Sequence, residues 1–381
     1  MKQTLDLEKI KQAANKISTI SEKQRDAFLH HLSEDLLRKK QEIIEANKRD
    51  LAKAKTRGLS LAFIESLGLD ETGIKKLTIK LGGVEKLRAG IGEIIEERID
   101  KNKLLFKKIR IPLGVIAVIY EARPEVTIEV AALCIKSGNA AVLKGGSEAL
   151  ETNKVLCGCI STALKKTGLN QEVISFIASK DRKITKRLLR EHEYIDLVIA
   201  RGGYGLVKFV LNQSTIPVLA HAAGGARVYV DKSADLSTAK TIILNAKISK
   251  PAACNSLDTI VVHRNISNKF VDQITTALRK QNVKVIGDKE ATEEDWNTEF
   301  LGLTVAIKVV KDVEEAVNFI NRHSKRHSEG IVAKDKKVID YFVGSIDAAA
   351  LFVNCSTRLH DGHVFGLGSE MGISTGKLHA R

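Results

Sequence analysis

Residues 112–146 read PLGVIAVIYEARPEVTIEVAALCIKSGNAAVLKGG, and this stretch decides the fold. Its run from Val115 to Tyr120 is short, continuous and apolar, which is typical of a strand that is buried on both faces. A helical pattern follows from Val126 to Ile135, and a second apolar run, Ala140 to Leu143, comes after it. Two buried strands joined by a helix form the repeating unit of a parallel sheet. The stretch therefore predicts an α/β fold.

The same alternation continues toward the C-terminus in two sets that meet near residue 227. Further strands are predicted at 173–177, 195–200, 227–230, 259–262, 283–286, 304–310, 330–333 and 350–353. Further helices are predicted at 149–164, 236–246, 270–278, 313–320 and 338–343, with a polar segment at 291–298. The length of 381 residues also favours two domains. We therefore predict two doubly wound parallel-sheet domains, residues 1–226 and 227–381.

The segment before residue 112 has a different pattern. Up to about residue 90 it is helical, and Ser21 to Gln24 has the form of a capping box, in which the glutamine side chain returns to the serine backbone. Residues 93–111 predict two strands joined by a turn at Asp100-Lys101-Asn102. We expect this hairpin to form an arm on the first domain.

The charge of the chain is strongly positive, at +15, which would suit a nucleic-acid partner. The 61 basic residues are, however, spread along the chain among 46 acidic residues, and aromatic residues make up only 4%. That is too few for base-stacking platforms. We therefore expect a solvated surface and no nucleic-acid partner.

The five cysteines lie in a long chain without a secretory signal, which predicts reduced thiols rather than disulfides. No apolar run approaches the length that spans a bilayer, so we expect a cytoplasmic protein without a membrane partner. His323 and His327 are four residues apart, but no carboxylate ligand lies among them, so no metal site is predicted.

Cys254 lies on the connection between the predicted helix 236–246 and the predicted strand 259–262. A thiolate attacks acyl carbon readily, and nearby cations such as Lys247 and Lys250 favour the thiolate form. Free cysteine is also among the most buried residue types, so a small buried apolar side chain is the alternative. The local sequence leaves both interpretations open.

Two glycine pairs follow predicted strands, at the ends where open α/β sheets bind ligands. Lys144-Gly145-Gly146 ends one strand, and Arg201-Gly202-Gly203 ends another and opens a helix, where backbone amides favour phosphate. Neither turn matches a Walker A loop or the dinucleotide fingerprint, and glycines also serve ordinary turns. Arg123 is held extended by Pro124, so it is a candidate anion ligand or a surface arginine that caps a turn.

Taken together, these segments resemble the gamma-glutamyl phosphate reductase family, the proline-biosynthesis branch of the aldehyde dehydrogenase superfamily. The motifs that carry the resemblance occur in family order across nearly the whole chain: residues 111–124, 136–146, 201–203, 214–218, 251–255, 354–358 and 374–381. The Tyr-Glu-Ala-Arg-Pro segment at 120–124 and the Lys-Leu-His-Ala-Arg segment at 377–381 are specific to this branch. The resemblance implies an aldehyde dehydrogenase-like fold with a hairpin oligomerisation arm at about 93–111.

The resemblance also implies site residues. Cys254 would be the nucleophile of the catalytic domain, and the cofactor of the first domain would be NADPH. Substrate would be bound by Arg123, Asn255, Asn354, Ser356, Thr357 and Arg358. Cofactor would be bound by Lys144, Gly145, Gly146, Arg201, Gly202, Gly203, Glu299 and Phe365. Glu299 looks like the glutamate that holds the nicotinamide ribose, and Lys144 is a candidate for the 2′-phosphate.

The implied reaction is the reduction of L-glutamyl 5-phosphate to L-glutamate 5-semialdehyde through a thioester on Cys254. A hydrolytic aldehyde dehydrogenase needs a carboxylate that activates water, which the superfamily places just before the second domain. Residues 215–230 contain no Asp or Glu, which favours phosphate-dependent chemistry. The alternatives are another acylating or hydrolytic aldehyde dehydrogenase and a catalytically silent relative, the last because Gly225-Ala226-Arg227 departs from the family pattern.

The resemblance bears on partners as well. The substrate is a small molecule, which glutamate 5-kinase could channel to this enzyme. Relatives continue past the position of Arg381 with a strand that pairs with the partner's hairpin, so we expect a weakened homo-oligomer.

Overall fold

The computed structural model describes residues 5–220, 224–362 and 364–377, without the side chains of 61 and 62. The chain divides into two compact units. Unit 1 extends to Ala220 and includes Gly368–Met371, and unit 2 contains the rest of the chain. Both are α/β, as predicted, and the functions predicted for the two domains stay predictions. The last four residues of the 374–381 motif lie outside the described residues.

Unit 1 is built on a five-stranded parallel sheet in the order β5-β4-β3-β6-β7. Its strands, with the hairpin pair first, are β1 Ile94–Ile99, β2 Leu105–Ile109, β3 Val115–Tyr120, β4 Ala140–Gly145, β5 Ile174–Phe176, β6 Leu197–Arg201 and β7 Val218–Ala220. Its helices are α1 Leu7–Ile17, α2 Glu22–Arg38, α3 Lys40–Thr56, α4 Leu61–Leu67, α5 Glu71–Glu85, α6 Glu125–Lys136, α7 Leu150–Lys166, α8 Arg182–Leu188 and α9 Tyr204–Gln213.

The central strand β3 is buried over its whole length, which explains its unbroken apolar sequence. Each buried Val or Ile side chain contributes about 1.5–3 kcal/mol relative to an exposed one. The chain adds β4 and β5 on one side of β3 and then returns to add β6 and β7 on the other. The strand order therefore reverses between β3 and β6, and the carboxyl ends of these two strands form the switch point at which such sheets bind ligands.

The hairpin arm is antiparallel, with Arg98 opposite Phe106, and every residue of β1 and β2 is exposed. Its predicted turn is confirmed: Asp100 Oδ1 accepts from the backbone N–H groups of Asn102 at 2.9 Å and Leu104 at 2.8 Å. The capping box at Ser21 is only half correct. Ser21 Oγ accepts from Gln24 N, but the Gln24 side chain donates to Thr167 O at 2.9 Å, at the end of α7.

Unit 2 is built on a six-stranded parallel sheet in the order β10-β11-β9-β8-β12-β13. Its strands are β8 Ala226–Val230, β9 Leu257–His263, β10 Lys284–Ile286, β11 Thr304–Val310, β12 Ser328–Val332 and β13 Ala350–Val353. Its helices are α10 Leu236–Ile248, α11 Arg264–Arg279, α12 Glu293–Asn297, α13 Val313–His323 and α14 Lys336–Ser345.

Helices cover both faces of the unit 2 sheet. Val228 and Ile260 point to one core with the apolar residues of α10 and α11, while Tyr229 and Val261 point to a second core with α13 and α14. Successive strand residues alternate between these cores because side chains alternate across a sheet. The doubly wound architecture predicted from the sequence is thus the architecture of this unit. Among the described residues, no helix is long and apolar enough to cross a membrane.

Candidate active site

Cys254 is half-buried on the connection that enters β9, so it lies at the amino edge of the unit 2 sheet. Two turns shape this connection, with Ala253 N bonded to Lys250 O at 3.0 Å and Ser256 N bonded to Ala253 O at 2.9 Å. Gly225, which precedes β8, donates its N–H to Cys254 O at 2.6 Å. The cysteine backbone is therefore fixed against the Gly224–Gly225 turn.

Gly224 separates Cys254 from Glu299. A Cβ on Gly224 would lie 2.4 Å from Cys254 O, 2.5 Å from Cys254 Cβ and 2.5 Å from Glu299 Oε1. Because these two side-chain atoms approach one point, Glu299 Oε1 is within about 5 Å of Cys254 Cβ. Only a residue without a side chain fits between them.

Two carboxyl groups near this turn have raised pKa values. Burial raises the pKa of Glu299, and the negative charge of Asp258 raises it further. The N–H of Gly224 and the positive charge of Lys325 act in the opposite direction. Asp258, the second residue of β9, is 2% exposed, and burial raises its pKa to about 6 against the opposing charge of Lys247. Lys247 Nζ lies 3.7 Å from Asp258 Oδ1 and is itself fully buried. The lysine named as a neighbour of Cys254 in sequence thus pairs with Asp258, while Lys250 is exposed.

The residue after the cysteine anchors the connection. Asn255 is buried, its Nδ2 donates to His360 O at 2.9 Å, and its backbone oxygen accepts from Thr357 Oγ1 at 2.8 Å. His360 is in turn linked to two further side chains. Ser328 Oγ lies 2.8 Å from His360 Nδ1 and 2.8 Å from His327 Nδ1. The structure therefore brings Asn255 and Thr357 to the Cys254 connection, with their side chains engaged in protein contacts.

Three other predicted substrate residues follow β13. Asn354 has a φ of 53° and exchanges two hydrogen bonds of 3.0 Å with the backbone of Ala333. It thus lies at the carboxyl edge of the sheet, at the end opposite to Cys254, and is not brought to the cysteine. Ser356 Oγ accepts from Arg358 N at 3.3 Å, and the buried Arg358 Nε has no hydrogen bond. Phe365 packs near His360, with ring centroids 5.7 Å apart.

Arg227, the last residue of the Gly225-Ala226-Arg227 segment, has a structural role. This side chain is 1% exposed and donates to Glu329 Oε1 at 3.3 Å and to His323 O at 2.5 Å. Burial raises the pKa of Glu329 to about 7, and the Arg227 guanidinium opposes this increase. A buried pair of this kind is held by its hydrogen bonds, since an isolated charge would be costly there.

In unit 1 the predicted cofactor residues gather at the switch point. Lys144 and Gly145 end β4, next to Tyr120 of β3, and Arg201 ends β6 on the other side of Tyr120. Lys144 is buried, Nζ donates to Gly145 O at 3.0 Å, and burial lowers its pKa. A Cβ on Gly145 would lie 2.5 Å from Asn153 Nδ2.

The second glycine turn of unit 1 contacts a carboxylate that the sequence did not assign to the site. Glu121 Oε2 accepts from Gly203 N at 3.1 Å, at the start of α9, and a Cβ on Gly202 would lie 2.5 Å from the same oxygen. Arg123 is exposed just before Pro124 and α6. The Gly203 amide at the N-terminus of α9, a position that favours phosphate, therefore already contacts the Glu121 carboxylate.

Sequence reasoning missed Gly224, Asp258 and Glu121 as neighbours of the site. The signal for Gly224 was a glycine pair before a strand, but its contact with residue 299 spans a long sequence separation. Across the parts of the chain that the structure describes, no group of three or more His, Cys, Asp or Glu side chains could hold a metal ion.

Comparison with known proteins agrees with this architecture. The model of the aldehyde dehydrogenase family matches residues 5–295, so the chain belongs to that family of oxidoreductases. The gamma-glutamyl phosphate reductase of Petrotoga mobilis is 42% identical over 98% of this chain and 92% of the relative, and that of Clostridium beijerinckii is 41% identical over 97% and 92%. Within the aldehyde dehydrogenases, the chain is thus a member of the gamma-glutamyl phosphate reductase branch.

A solved structure supports the same assignment. The crystal structure of gamma-glutamyl phosphate reductase from Thermotoga maritima has a TM-score of 0.96 and 39% sequence identity, covering 98% of this chain and 93% of that one. The predicted family and fold are both confirmed by these comparisons.

Proposed function

We propose that this chain catalyses the NADPH-dependent reduction of L-glutamyl 5-phosphate to L-glutamate 5-semialdehyde and phosphate, the second step of proline biosynthesis from glutamate. The observation that carries the proposal is Cys254, held beside Gly224 in a chain that matches gamma-glutamyl phosphate reductases over nearly its full length. A biosynthetic role of this kind belongs in the cytoplasm, where glutamate 5-kinase would supply the acyl phosphate.

The chemistry begins with the thiolate of Cys254, which adds to the carbonyl carbon of the acyl phosphate. The tetrahedral oxyanion collapses, the bond to the phosphate oxygen breaks, and a thioester remains on Cys254. Backbone N–H groups near Cys254 are suited to stabilise that oxyanion. When bound, NADPH would supply the hydride that reduces the Cys254 thioester to a thiohemiacetal. Loss of the Cys254 thiolate from the thiohemiacetal then gives the semialdehyde.

The switch point of unit 1 fits a dinucleotide cofactor. Gly145 and Gly202 let neighbouring side chains approach the strand ends, since a Cβ on either would lie 2.5 Å from Asn153 Nδ2 or Glu121 Oε2, and Gly203 precedes α9. We assign Lys144, Gly145, Gly146, Arg201, Gly202 and Gly203 to cofactor binding. Glu299 and Phe365 keep the cofactor role that the family resemblance implies. Lys144 would hold the 2′-phosphate by exchanging its hydrogen bond to Gly145 O for one to a phosphate oxygen. Arg123 and Arg358 are assigned to the anionic groups of the substrate.

A second candidate function follows from Glu299. Its carboxyl group lies close enough to Cys254 to activate water, which would give a hydrolytic aldehyde dehydrogenase. Residues 215–230, where the superfamily places that base, contain no Asp or Glu, and this favours phosphate over water. Dependence on phosphate separates the two functions.

The test runs the reaction in reverse, from glutamate semialdehyde, phosphate and NADP+, and follows NADPH absorbance. We expect turnover that requires phosphate and that disappears in Cys254→Ala, while Cys355→Ala, which removes another half-buried thiol of unit 2, keeps it. Turnover without phosphate would establish the hydrolytic function instead. No turnover, together with a Cys254 that resists alkylation, would identify a silent relative.

A further inference from the structure

We propose that Glu299 is a further catalytic residue, whose carboxylate takes the proton of the Cys254 thiol and passes it to the departing phosphate. This inference rests on the proposed function. The family resemblance assigns Glu299 only to the cofactor ribose, a role that requires bound cofactor. Activation of the thiol does not require cofactor, and this difference makes the two roles separable.

The geometry of the Gly224 turn supports the proposal. Glu299 Oε1 and Cys254 Cβ both lie 2.5 Å from the position of a Cβ on Gly224, so the carboxyl oxygen and the carbon that bears the sulfur are within about 5 Å. A carboxyl oxygen and a sulfur that is one bond from that carbon can come within hydrogen-bond reach by side-chain rotation. The backbone N–H of Gly224 also interacts with the Glu299 carboxyl group.

Among the described residues, the other charged groups near the Gly224 turn interact with one another or with Glu299. Asp258 Oδ1 accepts from Phe300 N at 3.2 Å and lies 3.7 Å from Lys247 Nζ, so this oxygen orients the segment that carries Glu299. The buried Asp258 Oδ2 would lie 2.8 Å from a Cβ on Gly225 and has no hydrogen bond. Arg227 pairs with Glu329. Lys325 faces Glu299 and Arg227, and its own pKa is lowered by burial. Within the described part of the chain, Glu299 is thus the carboxyl group that the Gly224 turn places beside Cys254.

The surroundings also suit a proton carrier. Burial and the charge of Asp258 raise the pKa of Glu299, while Gly224 N–H and Lys325 oppose the increase. A general base works best when its pKa is close to the working pH. The carboxylate is the active form, so activity is present above the pKa of Glu299 and is lost as the pH falls through it. Because the pKa of Glu299 is raised, this loss of activity should occur at a higher pH than it would for an exposed glutamate.

Glu299 alone can carry the proton that moves from the Cys254 thiol to the departing phosphate. The Glu299 carboxylate removes the thiol proton, and the Cys254 thiolate adds to the acyl carbon. When the carbon–oxygen bond to phosphate breaks, the leaving oxygen takes the proton from the Glu299 carboxylic acid, so that hydrogen phosphate departs and the carboxylate returns. Hydride transfer and collapse of the thiohemiacetal release the Cys254 thiolate, which takes one proton from solvent.

The experiment measures acylation of Cys254 without cofactor or phosphate. Full-length wild type, Glu299→Gln, Glu299→Asp and the matched exposed control Glu294→Gln are mixed with p-nitrophenyl acetate, and the nitrophenolate burst is followed between about pH 5 and pH 10. We expect the Glu299→Gln burst at pH 7 to be about 100-fold slower. The deficit should shrink as the pH rises, because a free thiol in water ionises without a base near about pH 8.5. Glu299→Asp should be intermediate, and Glu294→Gln unchanged.

Two outcomes overturn the proposal. An unchanged Glu299→Gln burst with a raised KM for NADP+ would leave Glu299 as a cofactor contact alone. A faster burst would mean that the carboxylate only repels the thiolate. Retention of the burst in Glu299→Asp and an unaltered thermal midpoint exclude misfolding as the cause. Because the burst uses neither phosphate nor NADP+, its result is independent of the reverse assay that tests the proposed function.

Discussion

The two units each place a Gly-Gly turn against a carboxylate, but at opposite edges of their sheets. Gly202-Gly203 follows β6 at a carboxyl edge, and Gly224-Gly225 precedes β8 at an amino edge. A Cβ on Gly202 would meet the tips of the Glu121 and Leu206 side chains, which can rotate away. A Cβ on Gly224 would meet the backbone of Cys254, which cannot. The first turn therefore has room to adapt, whereas the second fixes its neighbours.

The largest effect is expected for Gly224→Ala. Its Cβ would lie 2.4 Å from Cys254 O, so the backbone of the cysteine connection must move. A displacement of this kind should lower kcat of the reverse reaction about 100-fold or more. Gly344→Ala, in α14 with no atom near its Cβ position, is the matched control. Normal kcat in Gly224→Ala would show that the second turn is as adaptable as the first.

A second effect concerns Asp258, whose Oδ2 would lie 2.8 Å from a Cβ on Gly225. Its pKa is about 6 in the folded chain and 3.8 for an unperturbed aspartate, so between these values the folded state binds the extra proton. The free energy of unfolding should therefore fall as the pH rises from about 4 to about 7, by up to about 2 kcal/mol from this group.

Denaturant unfolding of wild type and Asp258→Asn at both pH values measures this contribution. The variant lacks the titrating group, so its decrease in stability over the same interval should be smaller by that amount. Equal pH dependence in the two proteins would show that Asp258 is not the buried acid that the second turn implies.

A smaller effect is expected for Gly202→Ala at the adaptable turn. Its Cβ would lie 2.5 Å from Glu121 Oε2 and 2.7 Å from Leu206 Cδ2, both at side-chain ends. We expect a rise of about tenfold or less in the KM for NADP+ and little change in kcat, since the obstruction costs about 1 kcal/mol. Gly205→Ala, with nothing near its Cβ, should match wild type. A loss in kcat as large as that of Gly224→Ala would contradict the contrast between the turns.

The smallest effect is expected for Glu121→Gln. Removal of the negative charge beside Gly203 N–H should favour an incoming phosphate at the start of α9, because a charge at a helix N-terminus is worth about 0.3–1 kcal/mol. The KM for NADP+ should therefore fall about two- to fivefold at low salt, and the difference should shrink at high salt. A higher KM would indicate that Glu121 supports the bound cofactor.

The sequence predicted strands best where an unbroken apolar run is bounded by turns. Val115–Tyr120, Thr304–Val310 and Ala350–Val353 have the bounds that their sequences indicate. Three short elements were missed: α8, α12 and β7. Helix α12 is five residues long and polar, and its signal was the capping box formed by Thr292 and Asp295. Short elements depend on their caps and on packing more than on periodicity, which explains the omissions.

The candidate site was only partly predictable. Cys254 could be placed on a connection because its flanking elements are strongly patterned. The approach of Gly224 and Glu299 to that cysteine depends on how β8, β9 and the segment after α12 meet, which no local pattern encodes. The position of Asn354 shows the same limit, because its motif follows a strand whose carboxyl end faces away from Cys254.

One consequence concerns the hydrogens of His327, Ser328 and His360, which are linked to the cysteine connection through Asn255. A hydroxyl has one hydrogen, so Ser328 can donate to only one of the two Nδ1 atoms that lie 2.8 Å away. The other imidazole must then carry its own hydrogen on Nδ1 and act as the donor. Burial lowers the pKa of His360 to about 4, so that ring is neutral at pH 7. Nitrogen-15 NMR should therefore reveal at least one Nδ1–H imidazole among the ten histidines of the chain.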